Sequence, residues 1–170
     1  MAAQTSTVTR ADLTKIHVEL SRDGNLCGEW MWARALGDDI YELHNVPFFA
    51  YGLNYLDLVE APAGGPDGKP SVVGVLEHSG HQTLRLSFED TVPRRHRIPL
   101  LQALRGLGAS FEGADWTLFA LDVEPDGNYE GVVAQLDAWV NDGMLRYETC
   151  EQRAPGQFGE GPGVDGHEVN

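Results

Sequence analysis

The sequence predicts an α+β protein in which a small bent β-sheet or barrel precedes a ferredoxin-like half with two helices. Residues 13–90 alternate between apolar and polar side chains in short runs, which is the period of half-buried strands. Further along, the apolar spacing lengthens twice to the helical period. Counted from residue 82, the order is strand, helix, strand, strand, helix, strand, as in split βαβ folds. We therefore expect a β-rich lobe at 13–90 and a ferredoxin-like lobe at 82–152 that share one strand.

Alternation defines the strands of the first lobe. Ile16, Val18 and Leu20 fall on one face of a strand, and an Asp-Gly turn follows at residues 22–25. Five or six short strands pass before any helix, so a compact barrel or half-barrel is the economical arrangement. Outside the central stretch, the strands of this lobe are predicted at residues 15–21, 27–36, 71–78 and 81–88.

The chain is organised around residues 41–59, its densest apolar and aromatic run. Pro47 lacks an N–H group and suits a strand edge or a turn, and Gly52 permits a tight bend. Residues 54–60 read as a second extended segment. In that segment we expect Leu56 and Leu58 to point inward, with Asp57 exposed between them.

Helical spacing dominates the second lobe. Leucines recur in phase from about residue 96 to 107, and Pro99 suits the first turn of that helix. A second helix is predicted at 129–142, with Asn128 as its N-cap. The strands of this lobe are predicted at residues 109–112, 116–123 and 145–150.

Composition suggests a cytoplasmic protein with a protein or peptide partner. We expect disorder at residues 1–12 and in the acidic tail at 153–170. Cys27 and Cys150 do not have the Cys-x-x-Cys spacing of metal-binding or redox motifs, so we expect both to be reduced thiols. The net charge is −14, which argues against nucleic acid and anionic membrane surfaces and is compatible with a basic partner. No cofactor is expected, and the chain is predicted to be a monomer or a homodimer.

Two motifs resemble an uncharacterised bacterial family, the domain of unknown function numbered 4265. One is the Asn-x-Pro-Phe-Phe run at residues 45–49, and the other is the Ser-Gly-His run at 79–81. Leu56 departs from the pattern, since a glycine is expected before the aspartate. The resemblance covers residues 19–148, implies a soluble bacterial accessory domain and transfers no catalytic residue. Its other matching residues are Trp30, Ala33, Tyr41, Leu43, Gly52, Asp57, Leu58, Val59, Thr83, Leu84 and Arg85.

The aromatic side chains of the central stretch have two interpretations. They could plug the end of a small barrel, because apolar aromatic residues are mostly core. They could instead line a groove for a peptide or another ligand, which a contiguous exposed patch would indicate. The residues concerned are Phe48, Phe49, Tyr51 and Tyr55.

His78, Ser79 and His81 form the cluster that most resembles a metal-binding or catalytic site. The two histidines could ligate a metal. They are three positions apart, however, so on a regular strand their side chains would lie on opposite faces unless Gly80 forms a bulge. A metal would also need a third ligand. A small enzyme could instead combine Ser79 and His81 with Asp57 and Arg85. More simply, we expect Arg85 to pair with an acidic neighbour such as Asp57 or Glu60, or to bind an anion.

Residues 94–97 (Arg-Arg-His-Arg) form the only basic cluster in an acidic chain. They are a solvated helix start or a contact surface.

These patterns favour a non-catalytic accessory or regulatory protein that binds a peptide or protein partner. Strand addition at a sheet edge and binding in an aromatic groove are the expected modes. The alternatives are the small enzyme with a Ser/His/Asp/Arg site and an immunity-type inhibitor of a basic toxin. Candidate binding residues are Phe48, Phe49, Tyr51, Tyr55, Asp57, Ser79, His81 and Arg85.

Overall fold

A computed structural model describes residues 8–20, 28–152 and 158–159 and confirms the α+β class. Two helices, α1 (Arg94–Ala103) and α2 (Tyr129–Asn141), accompany antiparallel sheets of five and four strands. The strands, in chain order, are β1 (Leu13–Glu19), β2 (Gly28–Gly37), β3 (Ile40–Leu43), β4 (Leu58–Glu60), β5 (Gly74–Glu77), β6 (Gln82–Phe88), β7 (Ala109–Gly113), β8 (Leu118–Val123) and β9 (Leu145–Thr149). The predicted turn at 22–25 and Cys27 lie outside the described residues.

The five-stranded sheet is a meander in which each strand pairs with the next along the chain. It curls until His17 on β1 meets the segment before β5. The His17 N–H donates to the Pro70 carbonyl at 2.8 Å, and the His17 carbonyl accepts from the N–H of Val72 at 2.9 Å. Among the described residues one parallel bridge joins these two ends. The bent sheet is therefore confirmed, and a barrel closed by a full ladder is not.

The four-stranded sheet has the order β7-β8-β6-β9. Helix α1 connects β6 to β7, and helix α2 connects β8 to β9. Each helix thus joins two strands that have one other strand between them, which is the split βαβ arrangement. Both helices and the inward face of the sheet share one apolar core, which includes Leu84, Leu86, Leu101, Leu104, Phe119, Leu121, Val132, Leu136 and Trp139.

Helix α1 begins two residues earlier than predicted, directly after Pro93. The N–H groups of the first turn have no partner within a helix, so proline is tolerated there. Pro99 instead lies in the second turn, where its missing N–H removes one helical hydrogen bond. The prediction for Pro99 was therefore wrong. The helix continues as a 3-10 turn, Leu104–Leu107, and ends at Gly108 with φ at 79°.

Helix α2 agrees closely with the prediction. The Asn128 side chain accepts a hydrogen bond from the N–H of Gly131 at 2.9 Å, which confirms it as the N-cap. Strand β8 begins later than predicted, and Trp116 before it is 55% exposed. The Asp115 carboxylate accepts from the N–H groups of Thr117 and Leu118, so this stretch is a turn and not part of the strand.

Short described stretches near both ends of the chain lie beside the first lobe. Most of the predicted disordered segments lie outside the described residues, but a short 3-10 turn occupies Arg10–Asp12. Phe158 belongs to the segment 153–170, which was predicted to be disordered from its composition. Its side chain is buried in the core of the first lobe. Its carbonyl accepts from the N–H of Tyr51 at 2.6 Å. A lone aromatic side chain in a polar segment thus gains burial by docking.

Each sheet has its own apolar core. The first lobe buries a set that includes Ile16, Val18, Met31, Ala33, Leu43, Leu53, Val59 and Phe158, whereas the second buries the set around both helices. Residues 44–57, between β3 and β4, run along the junction of the two cores. Nearly all predicted functional residues lie at that junction.

Candidate functional site

The segment at residues 46–54 connects the lobes through polar contacts. The N–H of Val46 donates to the Glu112 carboxylate of β7 at 3.2 Å, and Arg85 of β6 donates to the Phe48 carbonyl at 2.6 Å. The N–H of Thr83 donates to the Asn54 side chain at 3.0 Å. The backbone groups of Val46 and Phe48, in a segment that lacks regular structure, are thus satisfied by side chains of the second lobe.

Glu29 supports the same segment from the first lobe. Its carboxylate accepts from the N–H groups of Phe48, Phe49 and Ala50 at 2.7, 3.0 and 2.8 Å. The residue is 7% exposed. Sequence reasoning missed it, although Glu29 is in phase with the inward residues Met31 and Ala33. A carboxylate on the buried face of a strand must have hydrogen-bond donors from another part of the chain, because burial of an unpaired charge is costly.

Asp57 is fully buried, so its predicted exposure was wrong. One carboxylate oxygen accepts from the N–H of Ser79 at 2.8 Å, and the other accepts from the N–H of Asn54 at 2.9 Å and lies 3.1 Å from Nδ1 of His78. The alternating strand pattern predicted the wrong exposure for Asp57 because residues 54–57 form a turn, with Leu56 at φ 62°. Asp57 therefore closes that turn and attaches it to the start of β6.

The Ser79 hydroxyl is used within the fold and also lies 3.1 Å from an Asp57 oxygen. It donates to the Tyr55 carbonyl at 2.6 Å and lies 3.2 Å from the N–H of His81, which donates to it. The His81 ring points to another carboxylate, because its Nδ1 atom lies 2.9 Å from both oxygens of Asp122. Ser79 and His81 are neighbours without forming a nucleophile–base pair. Asp122, on β8, was missed because its partner, His81, is distant in sequence and directly precedes another strand, β6.

Arg85 pairs with an acidic neighbour as expected, but that neighbour is Glu148 and not Asp57 or Glu60. Its guanidinium lies over the ring of Tyr51, 4.2 Å from the centroid, and Nε lies 3.3 Å from a Glu148 oxygen. Nε and Nη2 are buried and make no hydrogen bond among the described residues. Glu148 also accepts from the Tyr51 hydroxyl at 3.0 Å. The registry of β6 and β9, which sequence alone does not reveal, brings Arg85 and Glu148 together.

The four aromatic residues of the central stretch differ in environment. Tyr51 is buried, Phe48 and Tyr55 are half-buried, and Phe49 is 53% exposed. Tyr55 packs edge-on against His81 and His44, with ring centroids 5.2 and 6.1 Å apart. Burial raises the pKa of the Tyr55 hydroxyl, and the carboxylates of Asp122, Glu112 and Glu42 raise it further. The surroundings of Tyr55 are therefore electronegative.

A cleft of about 370 Å³ lies beside this network. It is lined by Gly52, Asn54, His78, residues 80–83, Tyr129 and residues 149–152. Of the eight predicted binding residues, only His81 lines the cleft. The described lining contains Glu151 and no lysine or arginine. Burial raises the pKa of Tyr129, and the negative charge of Glu151 raises it further.

Cys150 is a poor nucleophile, although it lines the cleft. It is 4% exposed, and burial raises the pKa of its thiol to about 11. In the described part of the chain, no group of three or more His, Cys, Asp or Glu side chains could hold a metal ion. His78 and His81 turn to different carboxylates, Asp57 and Asp122.

The basic cluster at residues 94–97 has divided roles. Arg97 is buried and donates to the carbonyls of Val92, Trp116 and Glu89, so it fixes the start of α1 against neighbouring loops. Arg94 is exposed, and its guanidinium lies 5.9 Å from the ring centroid of Trp116. In the described residues, neither helix has the length and apolarity needed to cross a bilayer.

Fold and site together define a two-lobed α+β protein with a ligand-sized cleft at the junction of its lobes. The chain belongs to the family described as Domain of unknown function (DUF4265), which matches residues 29–147 and confirms the resemblance. It is similar to a crystal structure of a hypothetical protein from Neisseria gonorrhoeae, with a TM-score of 0.69 and 17% identity, over 82% of this chain and 94% of that one. At this identity the likeness shows the fold alone. The comparison with curated proteins found no match.

Proposed function

We propose that the protein is a non-catalytic accessory or regulatory protein of the cytoplasm that binds a basic peptide segment of a partner protein. The observation that carries this proposal is the cleft at the lobe junction. Its volume of about 370 Å³ is within the range of small-ligand sites. Its lining offers hydrogen-bonding groups, and its described side chains include a carboxylate without a lysine or arginine to neutralise it.

The charge of the whole chain favours the same partner. A net charge of −14 produces a negative potential that accelerates encounter with a cationic segment. Close to the cleft, the electronegative surroundings of Tyr55 and Tyr129 act in the same direction. A basic toxin held by an immunity-type inhibitor would be one such partner.

The roles of the candidate catalytic residues also support binding over chemistry. Asp57 and Ser79 hold the turn at residues 54–57, while Arg85 packs beneath Phe48 and Tyr51. The Asp57 carboxylate and the Ser79 hydroxyl are used by hydrogen bonds within the fold, so they are poorly placed to act on a substrate.

One observation favours a small enzyme as the second candidate. His81 is oriented by Asp122 and lines the cleft, which is the arrangement of a general base and its supporting carboxylate. In this reading a bound ligand would lose a proton to His81. Recovery of the ligand unchanged after prolonged incubation separates binding from turnover.

Strand addition remains a second route for the same peptide. Strand β5 pairs only with β4 among the described strands, and Val73 and Leu76 beside or within it are each 53% exposed. Its length of four residues limits the number of backbone hydrogen bonds that it could contribute. The cleft is therefore the site that we propose to test first.

The test uses fluorescence anisotropy with a labelled peptide of glycine, serine and one central lysine. Matched peptides carry norleucine or glutamate at the centre. The variant Gln82→Trp fills the cleft from an exposed strand position, while Gln102→Trp adds the same bulk to an exposed position of α1 outside it. We expect the lysine peptide to bind best, Gln82→Trp to weaken binding at least about tenfold, and Gln102→Trp to have no effect.

Equal binding of the lysine and glutamate peptides would contradict the proposal. So would equal affinity of the two tryptophan variants, since the peptide would then lie elsewhere.

A further inference from the structure

The imidazole of His81 is held in one orientation by a buried carboxylate. Nδ1 lies 2.9 Å from both Asp122 oxygens, and Asp122 is 3% exposed. An ionised carboxylate can only accept, so Nδ1 carries the proton that joins the pair. In the neutral ring, Nε2 is then a bare hydrogen-bond acceptor.

Nε2 is available to a ligand. No hydrogen bond to it is found in the described part of the chain, and it is not among the buried atoms without a partner. The His81 side chain keeps 12% of its surface exposed and lines the cleft. Tyr55 packs edge-on against the same ring and limits its rotation.

We propose that Nε2 of His81 is the acceptor that recognises the side-chain ammonium or guanidinium of a lysine or arginine in the bound peptide, with Asp122 as the positioning residue. This inference rests on the proposed function and names the chemistry of its site. A cationic N–H donor matches a fixed acceptor in a cleft whose described lining has no competing lysine or arginine. The Glu151 carboxylate in the same lining would accept a further N–H of the cation.

The first experiment measures the contribution of His81 by calorimetric titration with the lysine and norleucine peptides. His81→Phe keeps an aromatic ring and removes the acceptor, while His96→Phe makes the same change at an exposed position of α1. We expect His81→Phe to weaken the lysine peptide about tenfold or more and to leave the norleucine peptide unchanged. Equal weakening of both peptides, or of neither, would overturn the inference.

The second experiment tests the role of Asp122 with Asp122→Asn. An asparagine amide can donate to Nδ1, which moves the ring proton to Nε2 and removes the acceptor. Long-range ¹H–¹⁵N NMR should show Nδ1 protonated in the wild type and Nε2 protonated in the variant, together with weaker lysine binding. A variant that keeps Nδ1 protonated yet loses lysine binding would overturn the positioning role.

The two proposals fail in distinguishable ways. If Gln82→Trp blocks the lysine peptide while His81→Phe does not, the cleft binds peptide without this contact and the inference is wrong. If the wild type binds none of the peptides, the proposed function itself is wrong.

Discussion

Leu56 occupies the left-handed backbone region, with φ at 62°, beside the buried carboxylate of Asp57. A branched side chain in that conformation costs about 1–2 kcal/mol relative to the right-handed region. The turn is nevertheless held, because Asp57 accepts from the N–H groups of Asn54 and Ser79. A glycine, expected here from the family resemblance, would adopt this φ without strain.

We predict that Leu56→Gly changes the free energy of unfolding by less than about 1 kcal/mol, because relief of strain offsets the lost half-buried side chain. Leu58→Gly, at an equally half-buried position in extended β4, should destabilise by about 2 kcal/mol. Urea unfolding of both variants measures the difference. Equal losses would show that Leu56 is not strained.

Glu112 is a half-buried carboxylate whose pKa is raised above its ordinary value of 4.5, mainly by burial. The folded protein therefore holds that proton more tightly than the unfolded chain. As pH rises from about 4.5 through the folded pKa, ionisation weakens the folded state, so stability is lost over that window.

Glu112→Gln should remove this loss, because the amide oxygen can still accept from Val46 and does not ionise. We predict that the stability of the variant relative to the wild type increases as pH rises above 4.5. Urea unfolding across a pH series measures it, with Glu77→Gln on exposed β5 as the control. Parallel pH profiles for Glu112→Gln and the wild type would refute the prediction.

At the residue scale, sequence reasoning identified residue types and missed their partners. His81 and Asp57 were named as candidates, but Asp122 and Glu29 were not. The reason is physical: the Asp122–His81 contact joins positions 41 residues apart and depends on the registry of β8 and β6. Periodicity determines which face of a strand a side chain occupies, and it carries no information about the facing strand.

At the scale of elements, the segment 48–50 is the part of the junction most dependent on one side chain. Three consecutive backbone N–H groups share the two oxygens of Glu29. A glutamine there has one acceptor oxygen, and its NH₂ group would face a donor.

We predict that Glu29→Gln destabilises the fold by about 1–3 kcal/mol. Amide hydrogen exchange should accelerate most at Phe48, Phe49 and Ala50, which mass spectrometry of peptic fragments can resolve. Glu19→Gln, at an exposed position of β1, is the matched control. Uniform acceleration across the first lobe would show that Glu29 acts on the whole sheet and not on this segment.

The regular elements were largely predictable because their periodicity is local. Strand β6 and helix α2 agree with the sequence to within one residue at each end. Two of the errors fell where alternation crossed a turn, at residues 54–57, and where proline was tolerated inside α1. At residues 54–57, contacts of the Asp57 carboxylate with His78 and Ser79 overrode the local pattern.

At the scale of the whole molecule, two apolar cores are joined by a polar layer. Glu29, Asp57, Arg85 and Asp122 are all buried, and every one contacts the central segment, the start of β6 or the opposite lobe. Buried charges of this kind require fixed partners. The layer therefore holds the lobes in a defined relation and shapes the cleft beside it.

The most direct test of the account is an NMR titration of the ¹⁵N-labelled protein with the lysine peptide, followed by mass analysis of the peptide. We predict that amide shifts change at residues 80–83, Tyr129 and residues 149–152, which line the cleft, and that the peptide is recovered intact. Shift changes confined to β5 or to the surface around Trp116, or recovery of an altered peptide, would contradict it.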